Sequence, residues 1–184
     1  MNSGKSSLYL AAFFLLYFFW AGCARKSADK KDYLYKIVEG KFDEFGVKTG
    51  YVNSQGDTVI ALGKYLYCYS DTLKNYAVVM KNSGDIVAID KNDNELFKVF
   101  KYDNGPDYFS EGLFRIVKNG KIGYADHDGN IIIEPQFVCA FPFNSGRAKV
   151  STDCNIEKNG EHLIWQSENW FYIDKTGKKL NDKQ

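Results

Sequence analysis

The chain has 184 residues, 45% of them hydrophobic and 16% aromatic, enough apolar material for the core of one domain. Its 24 basic and 23 acidic residues leave a formal net charge of +1, so no electrostatic excess points to nucleic acid as a partner. The 2 histidines, His127 and His162, offer neither metal-ligand spacing nor an evident base for a nucleophile, and no metal, no cofactor and no catalytic residue is expected.

The first predicted element is a targeting segment at residues 1–22. It holds one cation, Lys5, and an unbroken apolar run of 13 residues from Leu8 to Trp20, short of the ~20 that a helix needs to cross the hydrocarbon core and suited to a secretory signal peptide. Ala21-Gly22-Cys23 follows directly. With its small residues before a cysteine, the stretch resembles the bacterial lipobox, although Trp20 stands where that motif usually has an aliphatic residue. The resemblance implies cleavage before Cys23 and lipidation of its thiol, one acyl chain holding a membrane marginally and two or more stably. The other reading is an ordinary secreted protein cleaved near Gly22. After Cys23 the run Ala24 to Asp32 has no apolar residue larger than Ala, so residues 23–32 are expected to be a flexible tether. Residues 33–184 form the expected domain. Three cysteines remain there, Cys68, Cys139 and Cys154, which allows at most one internal disulfide without choosing a pair or requiring one.

Within the domain one tetrapeptide frame recurs: Asn53-Ser-Gln-Gly56, Asp90-Lys-Asn-Asp93, Asp126-His-Asp-Gly129 and Asp174-Lys-Thr-Gly177, at intervals of 37, 36 and 48 residues. Each follows a short apolar strand ending at Val52, Ile89, Ala125 or Ile173. A leading Asp or Asn accepts hydrogen bonds from amides just ahead, and a last residue with φ > 0 returns the chain through a bulge. Gly129 and Gly177 are therefore expected at positive φ, and Asp93, lacking the Gly, in a looser turn. Apolar segments follow the first three turns at Thr58–Leu62, Leu96–Phe100 and Ile131–Ile133, and only Leu180 follows the fourth. No helical apolar period of useful length occurs. The fold class is all-β, built from tandem antiparallel hairpin or meander repeats of about 36 residues, about three and a half units.

Between the first two turns Tyr65, Tyr67 and Tyr69 alternate with Leu66 and Cys68. On one extended strand they would share a face suited to a sugar or a protein, or else pack across the sheet with their hydroxyls at its edge. Asp90, Asn92 and Asn94 imitate the start of a calcium loop, but Glu95 and Lys101 occupy the positions that need Gly and Glu, so the segment reads as a solvated turn.

Asn119-Gly120 between Leu113–Lys118 and Lys121–Ala125 is a strong hairpin signal. Asn159-Gly160 suggests a second hairpin inside an insertion, since Gly146 lies 28 residues before Asp174 whereas Gly112 lies 14 before Asp126. Centred on that pair, the register sets Lys158 opposite Glu161, Glu157 opposite His162, Ile156 opposite Leu163 and Cys154 opposite Trp165, with an irregularity near Ser167-Glu168-Asn169. A projecting hairpin bearing Ile156, Leu163 and Trp165 is a candidate partner-binding element; otherwise these residues cover an open end of the sheet.

The third unit is similar to the WG-repeat family of bacterial proteins through Phe109-Ser-Glu-Gly112-Leu113, Val117, Gly120-Lys121, Gly123-Tyr124, Asp126, Gly129, Pro135, Phe137 and Phe143-Asn-Ser-Gly146. The similarity extends over residues 40 to 180 and is weaker outside this unit. The Trp-Gly pair is nowhere intact: Ile122 precedes Gly123, and Trp170 is followed by Phe171. The resemblance implies a β-repeat module with no catalytic residues to carry over, because the motif positions are turn and core positions. The expected function is a non-enzymatic envelope lipoprotein, held outside the cytoplasm by its lipid, whose repeat domain binds a protein or glycan. An envelope hydrolase with an unrecognised site is the alternative.

Overall fold

The computed structural model describes residues 32–40, 46–159 and 162–181. The expected signal peptide, Cys23 and the tether through residue 31 lie outside them, as do Gly160 of the expected Asn159-Gly160 turn and the side chain of Leu163.

Every regular element among the described residues is a strand. The first unit is a meander of β1 (Leu34–Glu39), β2 (Lys48–Val52) and β3 (Thr58–Tyr65), followed by the short β4 (Tyr67–Cys68) and β5 (Thr72–Leu73). The second runs β6 (Ala77–Met80), β7 (Ile86–Ile89), β8 (Glu95–Val99), with a small ribbon of β9 (Lys101–Tyr102) and β10 (Gly105–Pro106) after it. The third is β11 (Leu113–Lys118), β12 (Lys121–Asp126), β13 (Ile131–Phe137) and a short β14 (Cys139–Ala140). The fourth opens with β15 (Ala148–Ser151), inserts the hairpin β16 (Asn155–Asn159) and β17 (His162–Gln166), and resumes at β18 (Phe171–Ile173). Its third strand is reduced to a bridge between Ile173 and Lys179 and a bond from the Leu180 amide to the Tyr172 carbonyl.

These strands form a four-stranded sheet, β3-β2-β1-β5, a seven-stranded sheet, β13-β12-β11-β8-β7-β6-β4, a three-stranded sheet, β14-β15-β18, and the two ribbons. The central sheet uses both faces. Val87 and Ile89 pack with Tyr51, Ile60 and Leu73 of the first unit, whereas Ile86 and Ala88 pack with Phe97, Phe114 and Ile116. Ile122, Tyr124 and Ile133 pack with Phe143, Val150 and Ile173 of the fourth. Each meander thus buries its apolar residues against the next, because one hairpin's single face is too small a core.

All four tetrapeptide turns share one geometry. The fourth amide bonds the first carbonyl, and the first amide bonds the carbonyl just beyond the turn. Gly129 and Gly177 sit at φ 84°. Lys81-Asn-Ser-Gly84, which lacks a leading Asp or Asn, adds a fifth such turn. The looser turn expected at Asp93 is not found: at φ 67° it keeps the same two bonds, each 3.0 Å. Asp tolerates this conformation, and its carboxylate accepts a 2.6 Å bond from the Tyr65 hydroxyl and pairs with Lys64.

The Asn119-Gly120 hairpin forms as expected, with Lys118 opposite Lys121 and φ 52° and 72° at the two turn residues. The insertion hairpin also pairs, but two residues out of the expected register. Ile156 faces Trp165 instead of Leu163, Glu157 faces Ile164, and Asn159 faces His162, leaving 160 and 161 between the arms. A shift of two leaves Ile156 and Trp165 on one face of the ribbon. Cys139 and Cys154 form the one disulfide the cysteine count permitted, while Cys68 is buried and free.

Candidate functional site

From Arg147, just before β15, to Val150 the chain alternates: Ala148 and Val150 are buried, and Arg147 and Lys149 point the other way. Lys149 stands opposite Tyr172 on β18, and on the other side the Phe141 amide donates to the Lys149 carbonyl at 2.9 Å. The outward face of this sheet is therefore aromatic, cationic, aromatic across its width, where simple burial would call only for polar residues.

The cations lie on rings. The Arg147 guanidinium is 4.7 Å from the Tyr172 ring centre, and the Lys149 ammonium 4.8 Å from that of Trp170. Phe141 packs beside Trp170 with centroids 5.5 Å apart. Among the described residues neither Arg147 nor Lys149 has a carboxylate partner. Arg147, Lys149, Phe141 and Tyr172, together with Tyr108 and Asn144, line an open groove of about 550 Å³. Phe141, Tyr108 and Tyr172 remain 41%, 49% and 38% exposed.

The groove has rigid walls. Glu111, in one rim turn, accepts the Gly146 amide of the other and pairs with Lys175 at 3.3 Å, and these contacts hold its carboxyl below the usual carboxylate range. Behind the groove, Arg115 and Asp107 form a buried two-pronged ion pair, with Nε to Oδ2 at 2.9 Å, while a third guanidinium nitrogen donates to the Ala140 carbonyl. The Tyr124 hydroxyl donates to the Phe141 carbonyl at 2.7 Å, and burial pushes that phenol well up. Tyr51 makes the matching bond to Ser70 in the first unit.

The residues singled out from sequence lie elsewhere. Tyr65, Tyr67 and Tyr69 do not share a strand face, because the chain leaves one sheet at Leu66 and enters the next. Tyr65 packs against the first cluster and bonds Asp93, whereas Tyr67 and Tyr69 meet edge to face at 5.1 Å. Trp165 points toward the core, edge-on to Phe100 and Phe141, its indole nitrogen buried without an acceptor among the described residues. Trp165 is half-buried against the cluster that includes Tyr124, Phe143 and Ile173. Ile156 is 51% exposed. The groove residues were missed, although Arg147-Ala-Lys149 and Trp170-Phe-Tyr172 both carry the alternation that places them outward. Among the described residues no cluster of His, Cys, Asp or Glu is arranged to hold a metal ion.

The sequence pattern described as the WG containing repeat matches residues 50–84, 88–121 and 122–153. No curated protein and no solved structure is matched by this chain.

Proposed function

The chain belongs to the WG containing repeat family, and from that premise we propose that it is a non-enzymatic cell-envelope lipoprotein, lipidated at Cys23, whose repeat domain binds a protein or glycan partner. The observation carrying the binding role is the fourth unit's outward face, where exposed rings and two cations without a carboxylate partner among the described residues line one groove. Rings of this kind are apolar surface left in water that a ligand can cover, and the two cations offer charge to an anionic group. The anchor rests on the apolar run followed by Ala21-Gly22-Cys23. The Cys139–Cys154 bridge suits an oxidising compartment outside the cytoplasm.

Fractionation with intact mass tests the anchor. Mature protein should begin at an acylated Cys23 and stay with membranes, and Cys23→Ser should release it; an unacylated terminus, or a variant still held by membranes, contradicts the proposal. Retention of the purified Cys23→Ser variant, which lacks the anchor, on isolated envelopes tests the binding role and should fall when Phe141 and Lys149 are also replaced by Ala.

A further inference from the structure

We propose that the groove of the fourth unit takes a carboxylated glycan, an oligosaccharide bearing uronic-acid groups. This rests on the reading of the domain as a binding module and names the ligand's class. Lys149 lies on β15 and Arg147 just before it, two residues apart and about 7 Å along extended chain, and both charges are free of carboxylates among the described residues. Arg147 lies on the Tyr172 ring, so its planar fork is held in place before a ligand arrives, and such a fork matches a carboxylate with two parallel bonds. The exposed rings of Phe141 and Tyr108 offer apolar surface to the C–H face of a pyranose, and the exposed Asn144 and Ser145 offer partners for its hydroxyls.

Two other acidic ligands fit less well. An extended acidic peptide gains most of its affinity by pairing with a free strand edge, and the edges here are engaged. The carbonyls of Ala140 and Phe141 accept from Arg115 and Tyr124, and that of Tyr172 accepts from the Leu180 amide. A nucleic acid needs a longer basic track than two cations.

Calorimetric titration of the full-length protein in detergent tests this, with an oligogalacturonate, its neutral galactose counterpart, an oligoglutamate of equal charge and an oligothymidylate as probes. The galacturonate should bind, the neutral sugar much more weakly. The double variant Arg147→Gln, Lys149→Gln should lose about tenfold or more, as expected for charged hydrogen bonds, with an unchanged unfolding midpoint; Phe141→Leu should weaken binding without altering its salt dependence. No binding of the galacturonate, equal binding of the neutral sugar, or an unaffected double variant overturns the proposal, as does tighter binding of the oligoglutamate or oligothymidylate. If isolated envelopes still retain the anchor-free Cys23→Ser variant in that event, the binding role stands and the carbohydrate class falls.

Discussion

Gly50 and Gly123 stand just before the buried tyrosines Tyr51 and Tyr124, and the neighbouring strand decides their identity. A Cβ at Gly123 would lie 2.4 Å from the Ile133 carbonyl oxygen and 2.6 Å from the Pro135 nitrogen; at Gly50 it would lie 2.6 Å from the Ile60 carbonyl oxygen. At both places the third strand bulges toward the second, seen as a register shift between β12 and β13 and between β2 and β3. In the second unit Val87 and Ala88 pair with Lys98 and Phe97 without a shift, and the position carries Val. Gly123→Ala should therefore cost about 2 kcal/mol, in the range of overpacked cores, read from denaturant unfolding; a variant as stable as the parent contradicts this account of the glycine. A Gly-Tyr pair is visible in the sequence, but the bulge that demands it belongs to residues about ten positions further on. Asp93 shows the same limit: the missing Gly was legible, while the Tyr65 hydroxyl that steadies the turn comes from 28 residues away.

The turns are the elements most fully legible, because their chemistry is local. Asp90, Asp126 and Asp174 each accept two amides within four residues, and their carboxyls lie below the usual range, chiefly through the side chains of Asn94, Asn130 and Thr176. A depressed folded-state pKa adds stability above the unfolded value of about 3.9, and this is lost as pH falls through the folded value. The unfolding midpoint should thus be flat from neutral pH to about 5 and then drop, and replacing the three aspartates by Asn should shrink that drop. The insertion hairpin was legible as an element but not in register. Asn-Gly is a local signal, and two tertiary anchors outweigh it: the disulfide at Cys154 and the ring contacts of Trp165. The bridge closes a sequence separation of 15 residues, so Cys154→Ser should cost about 3 kcal/mol by chain entropy. Equal midpoints for variant and parent under oxidising conditions would refute that role.

At the scale of the whole molecule, the sequence made the β class, the repeat and its period legible, since alternation and turn residues repeat along the chain. The pairing of one unit's cluster with the next, and the site on the last, were not, because they depend on which sheet each strand enters. The charged pair Arg115–Asp107 is an instance. Each residue looks like ordinary surface charge in sequence, yet both are buried, at 3% and 7% exposure, and tie β11 to β14 behind the groove. Asp107→Ala leaves a guanidinium buried without its counter-charge and should cost about 3–5 kcal/mol, read as a lowered unfolding midpoint. The central claim is that the repeats stack to present a binding face on the fourth unit. Hydrogen exchange of the full-length protein, followed with and without isolated envelopes, tests it most directly. The account predicts slowed exchange over residues 139–151 and 170–173. Protection confined to residues 65–69 or to the insertion hairpin, or none in the fourth unit, would contradict it.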